Sequence, residues 1–362
     1  MNPAISIYLE IFRILATLTV FVSHSSFLYL AFTSLHPHFG RNGVILFFVL
    51  SGYVISWCAK EKEPSLMNFT VNRFARIYSV AIPGIILGVV VAFLVHWPHM
   101  VIPYQIKKPW IYLPIYLSFT GEFWTLSETP PVNFPFWSLN YEVWYYVIFG
   151  AWFYLAGRLR WIVSSLMMAL VGPYILSMFP LWVAGSMLYF FRDRLVIPRL
   201  VARLMVLASA CLFFAAIYYG LDAVADSYNA EFFAFFGVHA SPKYFLGDYL
   251  FGAIVIINLL GALNSAFVFP SAFSSGVRTI ASYSFSFYLF HIPIFNLIHS
   301  MVGTTNSFVS YLAEILATVA IVMFLARHTE HKKGWYRNFA TRALSGFKGA
   351  FGKARKTDER IR

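Results

Sequence analysis

Apolar residues run along this chain in long blocks rather than alternating with polar ones. The blocks cover about residues 5–33, 43–58, 77–97, 137–155, 161–178, 180–191, 200–220, 248–264, 281–301 and 308–326, each bounded by charge, proline or glycine. About 20 apolar residues in a helix cross a hydrocarbon core of roughly 30 Å. The blocks also lack the ten-residue alternation of an outer-membrane barrel. The pattern predicts an all-α, polytopic transmembrane helical bundle of about ten spanning helices. Residues 110–119, WIYLPIYLSF, are too short to cross and contain Pro114, which predicts a re-entrant or interfacial piece.

Composition agrees with the pattern. Of 362 residues 59% are hydrophobic and 12% charged, against about 25% charged in a soluble domain, and the mean hydropathy is +0.68. Glu10 and Arg13 interrupt the first block and no small-residue cleavage site follows it, so the first helix is expected to stay in the mature protein. Cys58 and Cys211 fall in separate blocks, where an inert buried side chain is the expectation and a disulfide or metal pair is not.

Charge sets the expected orientation. The net charge is +12, and from Lys332 onward ten basic residues face only Asp358 and Glu359. A polybasic stretch after the last helix reads as a cytoplasmic anchor to anionic lipid headgroups, not as a nucleic-acid site. With the N-terminus in the cytoplasm, Arg73, Arg76, Arg158, Arg160, Arg192, Arg194, Arg199, Arg203 and Arg278 fall on the inner side, while Glu122, Glu128, Asp222, Asp226 and Glu231 fall on the outer side. Arg41, Lys107 and Lys108 are exceptions on the outer side. The organisation is therefore a transmembrane domain over 1–326 and a basic cytoplasmic tail over 327–362.

Ionisable residues inside apolar blocks are costly and mark candidate chemistry. Arg13 and His24 share the face of one helix about 16 Å apart along its axis. Arg13 could equally pair with Glu10 one turn earlier or snorkel to the interface. In WSLNYEVWYY (137–146), Glu142 lies at the depth of His24 in a helix entering from outside. A carboxylate there could orient the imidazole for general base work. Ser51 and Gly52, in FFVLSGYVISW, signal close helix packing or a site wall. Arg73 and Arg76, in FTVNRFARIY, are topology signals or a phosphate clamp at the inner start of a helix. His291 directly precedes Ile292-Pro293, and the missing proline N–H leaves a carbonyl to be satisfied locally, so this histidine is structural or part of the site.

Taken in order, the first-helix arginine and histidine, FFVLSGYVIS, RFARIY, WSLNYEVWYY and SFYLFHIP resemble the acyltransferase 3 family of bacterial membrane O-acyltransferases. The likeness spans nearly all of residues 6–326. It departs from the family pattern at Ile45, where many relatives are acidic, and at Ser79, where many have proline. No hydrolase-like extra domain follows residue 326, as in the stand-alone form of the family.

The resemblance implies catalytic roles for His24, Arg13 and Glu142. Arg13, Arg73 and Arg76 would hold the donor, and Ser51, Trp137, Tyr141 and His291 would line the site. No metal and no permanently bound cofactor is implied. The co-substrate is acyl-CoA, acetyl-CoA in the simplest case, and the acceptor is a hydroxyl of a cell-surface or exported polysaccharide or lipid-linked sugar. The location implied is the bacterial inner membrane, multi-pass, with both termini cytoplasmic. Ser23, Ser25 and Ser26 remain open as covalent carriers beside direct transfer. The competing class is a proton-coupled transporter or glycan flippase, since intramembrane Arg, His and Glu also build proton relays. Against it, no paired broken helices recur in two matching halves. A structural or assembly role in a glycan-export complex is a third reading.

Overall fold

A computed structural model of the chain describes residues 1–28, 39–95, 104–235, 244–303 and 307–343. Its long helices are α1 (Pro3–Leu28), α2 (Phe39–Glu61) and α3 (Leu66–Leu94), followed by the short α4 (Tyr104–Lys107) and α5 (Pro109–Ser118). Next come α6 (Phe136–Tyr154), α7 (Gly157–Val171), α8 (Pro173–Ser177), α9 (Phe179–Phe191) and α10 (Arg199–Tyr218). After α11 (Leu221–Ser227) and α12 (Asn229–Phe235), the chain completes the bundle with α13 (Phe245–Asn264), α14 (Ser271–Ala281), α15 (Ser284–Val302) and α16 (Phe308–His328). No strand occurs among the described residues.

Among the described residues seven helices are long and apolar enough to cross a membrane: α1, α2, α3, α10, α13, α15 and the stretch that runs from α16 on to residue 343. The other three expected blocks are helical but fall short. The 19-residue α6 carries tyrosines, Asn140 and Glu142 among its apolar residues, while α7 has 15 residues and α9 only 13. The 10-residue α5 is about 15 Å long, half of a hydrocarbon core. Residues 29–33, which close the first expected block, lie outside the described residues, as do 236–243 of the outer loop.

The start of α3 differs from expectation. Ser65, in extended backbone, accepts a hydrogen bond from the Asn68 amide at 3.2 Å and caps a helix that begins at Leu66, three turns before the apolar block at 77–97. RFARIY is therefore inside a helix and not in the inner connection. Its Arg73 and Tyr78 meet protein partners, which a hydropathy pattern cannot register. Buried Glu63 accepts from Arg73 at 2.6 Å and from Asn72 at 3.0 Å, and the Glu63 carbonyl accepts from the Tyr154 hydroxyl at 2.7 Å. The α2–α3 turn is thereby knotted to the end of α6.

Helix α2 lies at the centre, packed on α1, α9 and α13. Glycines permit the α2–α9 approach. A Cβ on Gly52 would stand 1.9 Å from the Trp182 carbonyl oxygen, and one on Gly185 would stand 1.9 Å from that of Val49. With no hydrophobic drive between helices in lipid, such backbone-close contact supplies van der Waals packing. It is reinforced by Ser56 and Ser186, whose hydroxyls are 2.6 Å apart across the same seam. On the other side, the Tyr8 hydroxyl donates to Asn258 at 2.6 Å, and Asn258 donates in turn to Ser209 at 2.9 Å, tying α1, α13 and α10 together.

The cysteines are free. Cys58 is half-buried, but Cys211 is exposed on α10, contrary to the expected burial of both.

The seam gives a direct test. Gly185→Val should push α9 off α2 and lower stability by about 1–3 kcal/mol or more. The readout is the thermal midpoint of the detergent-solubilised protein against Gly276→Ala, a glycine with open space around it.

Candidate active site

Five helices, α1, α2, α3, α6 and the start of α15, surround a chamber in the middle of the bundle. Its empty space, open mouth included, is about 800 Å³. Apolar residues of α1 and α2 form most of the wall, and the polar lining is Arg13, Ser51, Arg76, Ser138, Glu142, Tyr146 and Tyr288. Arg13 is bonded to Glu10 at 2.8 Å, as the i, i+3 alternative allowed, and still faces the chamber. The Glu142 carboxylate accepts from the hydroxyls of Tyr146 and Ser51, the latter at 3.1 Å, and the Trp182 indole N–H donates to Ser51 Oγ at 3.2 Å. Ser51 thus lines the chamber while its neighbour Gly52 makes the close helix contact.

The two arginines of RFARIY separate. Arg73 is held by Glu63 and lies away from the chamber lining. Arg76, three residues on, lines the chamber and makes no hydrogen bond to the protein among the described residues; its guanidinium stands 5.8 Å from the Phe285 ring. Glu330, just after α16, acts electrostatically on both Arg13 and Arg76, and its carboxylate accepts from the Ser286 amide at 3.0 Å and hydroxyl at 2.8 Å.

Above Arg13 on α1 stands His24, and its partner is not Glu142. His24 Nδ1 lies 2.9 Å from His291 Nε2, with the rings near-parallel at 5.2 Å. His291 Nδ1 lies 2.8 Å from the Phe287 carbonyl oxygen. Depth along helices was a sound guide to which residues face inward, but the Glu142 carboxylate is taken by Tyr146 and Ser51 on the chamber wall. Nor does His291 serve the carbonyl released by Pro293, which is that of Leu289 four residues earlier. Tyr288 joins the two groups: it lines the chamber, its hydroxyl is 2.7 Å from Ser138 Oγ, and its ring lies 6.5 Å from that of His291.

Trp137 and Tyr141 lie beside the chamber and do not line it. Arg41 makes a two-pronged ion pair to Asp248 at 2.7 Å on each arm, and its guanidinium stands 5.4 Å from the Trp137 ring and 4.7 Å from that of Tyr244. Tyr141 packs on Trp137 and on Phe48, a chamber residue. Arg41, an exception to the charge rule on sequence, is thus neutralised by α13.

Three participants were not singled out from sequence. Tyr146 follows Glu142 by four residues and Tyr288 precedes His291 by three, so helical spacing places each on the face of its neighbour. Trp182 is distant in sequence and had no such signal.

Membrane-length helices around a chamber of arginines and a carboxylate, with a histidine pair that does not line it but reaches it through Tyr288, define a polytopic membrane protein with an intramembrane ionic site. The acyltransferase-domain family profile matches residues 6–327, and the chain belongs to the acyltransferase 3 family. It is similar to acyltransferase MdmB of Streptomyces mycarofaciens, 28% identical over 156 residues, which is 39% of this chain and 37% of that protein. It is also similar to the exopolysaccharide production protein ExoZ of Rhizobium meliloti (strain 1021), 28% identical over 143 residues, 38% of this chain and 43% of that protein. The chain thus spans less than half the length of these curated relatives. No solved structure matches it.

Outside the bundle, in the connection before α6, Glu122 is buried with Ser127 Oγ donating to it at 3.2 Å. Burial, with Glu128 adding to it, pushes its carboxyl up to about 7. A carboxyl raised in the folded state favours folding fully below its ordinary value near 4.5, and that contribution is lost as pH rises through about 7. The thermal midpoint should therefore fall between pH 5 and pH 8. Glu122→Gln should flatten the fall, recovering on the order of 1–3 kcal/mol at pH 8 and little at pH 5.

Proposed function

We propose that this protein transfers an acyl group, acetyl in the simplest case, from cytoplasmic acyl-CoA to a hydroxyl of a cell-surface or exported glycan. The observation that carries this reading is the arginine-lined chamber adjoining the His24–His291 pair, inside a bundle whose family is defined by acyltransferases. The acyltransferase name of one relative supports the reaction class, and the exopolysaccharide name of the other supports the acceptor class.

His24 is the general base in this scheme. The acceptor hydroxyl proton moves to His24 Nε2, and the hydroxyl oxygen forms the ester bond to the thioester carbonyl carbon. The carbon–sulfur bond breaks, and the departing thiolate takes the proton. Arg13 and Arg76 hold the donor: a guanidinium without a protein hydrogen bond, such as that of Arg76, offers paired donors to a phosphate or carbonyl oxygen. Glu142 keeps the chamber wall in shape through Ser51 and Tyr146 and balances the arginines. Arg73 supports α3 through Glu63. The basic tail rests on anionic headgroups in this reading, with both termini in the cytoplasm of a bacterial inner-membrane protein. The basic bias of the inner connections supports that orientation.

Two experiments test the proposal. Deleting the gene should remove one acyl mass per modified sugar from the surface glycan, and His24→Ala, inserted at normal levels, should lower transfer by about 10²–10⁴-fold. Unchanged glycan modification with reduced export would instead indicate a transporter. On the donor side, Arg76→Lys should raise the apparent KM for acyl-CoA several-fold at normal stability. Arg73→Ala should instead lower the thermal midpoint with little change in KM, since it leaves the buried Glu63 carboxylate without its ion pair.

A further inference from the structure

His24 can act as a base only through a nitrogen that carries a lone pair and faces open space. The hydrogen-bond chain around it decides which nitrogen that is. The Phe287 carbonyl oxygen can only accept, so the His291 nitrogen 2.8 Å from it, Nδ1, bears a proton. In a neutral ring the other nitrogen, Nε2, is then a bare acceptor. His24 Nδ1, 2.9 Å away, must be the donor to it. That leaves His24 Nε2 unprotonated.

The pair is neutral because its surroundings cannot hold a charge. His291 is 1% exposed and packed by the rings of Phe21 and Phe287, and among the described residues no carboxylate is bonded to either imidazole. His24 Nε2 makes no hydrogen bond among the described residues. It lies beside the first turn of α2, where even a Cβ built on Gly40 would stand 3.9 Å from it, and the neighbouring Phe134 ring, 4.8 Å from the His24 ring, offers no hydrogen-bond donor to that nitrogen.

We propose that His291 is the positioning residue of the site, fixing His24 in the tautomer whose Nε2 is free to take a proton, through the relay Phe287 carbonyl, His291, His24. The relay does with an imidazole and a backbone carbonyl what an acid–histidine pair does with a carboxylate. One difference follows: with no buried anion in the relay, the imidazolium formed during transfer has no fixed counter-charge at its back. It is a short-lived species that must pass its proton to the leaving thiolate promptly. The tautomer assignment stands on the hydrogen bonds alone, and only its kinetic consequence rests on the acyl-transfer reading.

The test is nitrogen NMR of the full chain, labelled with ¹⁵N-histidine and reconstituted in lipid, with the His24 signals assigned by their loss in His24→Asn. Wild type should show His24 with a protonated Nδ1 and a bare Nε2. His291→Phe should shift His24 toward the opposite tautomer or a mixture. His291→Gln, whose amide carries both a donor for Phe287 and an acceptor for His24, should restore the wild-type signals. In acyl-transfer assays His291→Phe should lower kcat by about 10²-fold or more with the KM for acyl-CoA little changed, and His291→Gln should recover most of it. A protonated Nε2 on wild-type His24, or a His24 spectrum unmoved by His291→Phe, overturns the relay whatever the activity. If the relay signals are as expected but His24→Ala leaves glycan acylation intact, it is the acyl-transfer reading that fails.

Discussion

The contact between α2 and α9 is the constraint on which the rest of the arrangement depends. Gly52 and Gly185 bring the two backbones within van der Waals reach of each other's carbonyls, and no larger residue fits at either place. Once α2 is held there, its next residue, Ser51, meets the Trp182 indole on one side and the Glu142 carboxylate on the other. Its first turn carries Arg41 to Asp248 and leaves Gly40 beside His24. One helix seam thus registers the chamber wall, the Arg41–Asp248 ion pair and the surroundings of His24.

Charge inside the bundle is handled by local pairing of unequal completeness. Arg13 has Glu10, Arg73 has Glu63 and Arg41 has Asp248, and Glu142 is surrounded by hydroxyl donors. Arg76 alone of these arginines keeps its hydrogen-bonding capacity unspent while facing open space. Low polarity strengthens every interaction it makes with an incoming anion. Pairing of the others keeps the chamber from being a general positive hole.

The helical class and nearly all helix positions were legible in the sequence because apolar block length is set directly by bilayer thickness. The exceptions have physical causes. The front of α3 was blurred because Asn72, Arg73 and Tyr78 find partners inside the protein while hydropathy counts them as a break, and α6 was placed to within a residue although Asn140 and Glu142 lower its hydropathy. Arg13, His24, Ser51, Glu142 and His291 were legible as inward-facing groups, since each would be costly against lipid. Which of them touch was not legible. His24 and Glu142 stand at compatible depths, but depth leaves rotation about the bundle undetermined, and His291 on α15 occupies the position that depth alone had offered to Glu142.

Glu330 gives the end of the chain a place in the architecture. Its carboxylate closes the exposed amide of Ser286 in the first turn of α15, the helix that carries Tyr288 and His291, and its charge reaches Arg13 and Arg76. The segment following α16 is therefore mechanically continuous with His291, about one and a half turns of helix from Ser286. Whatever moves that segment bears on the N-terminus of α15. The stretch after the last long helix is thus a lever, through one carboxylate, on the alignment of Tyr288 and His291.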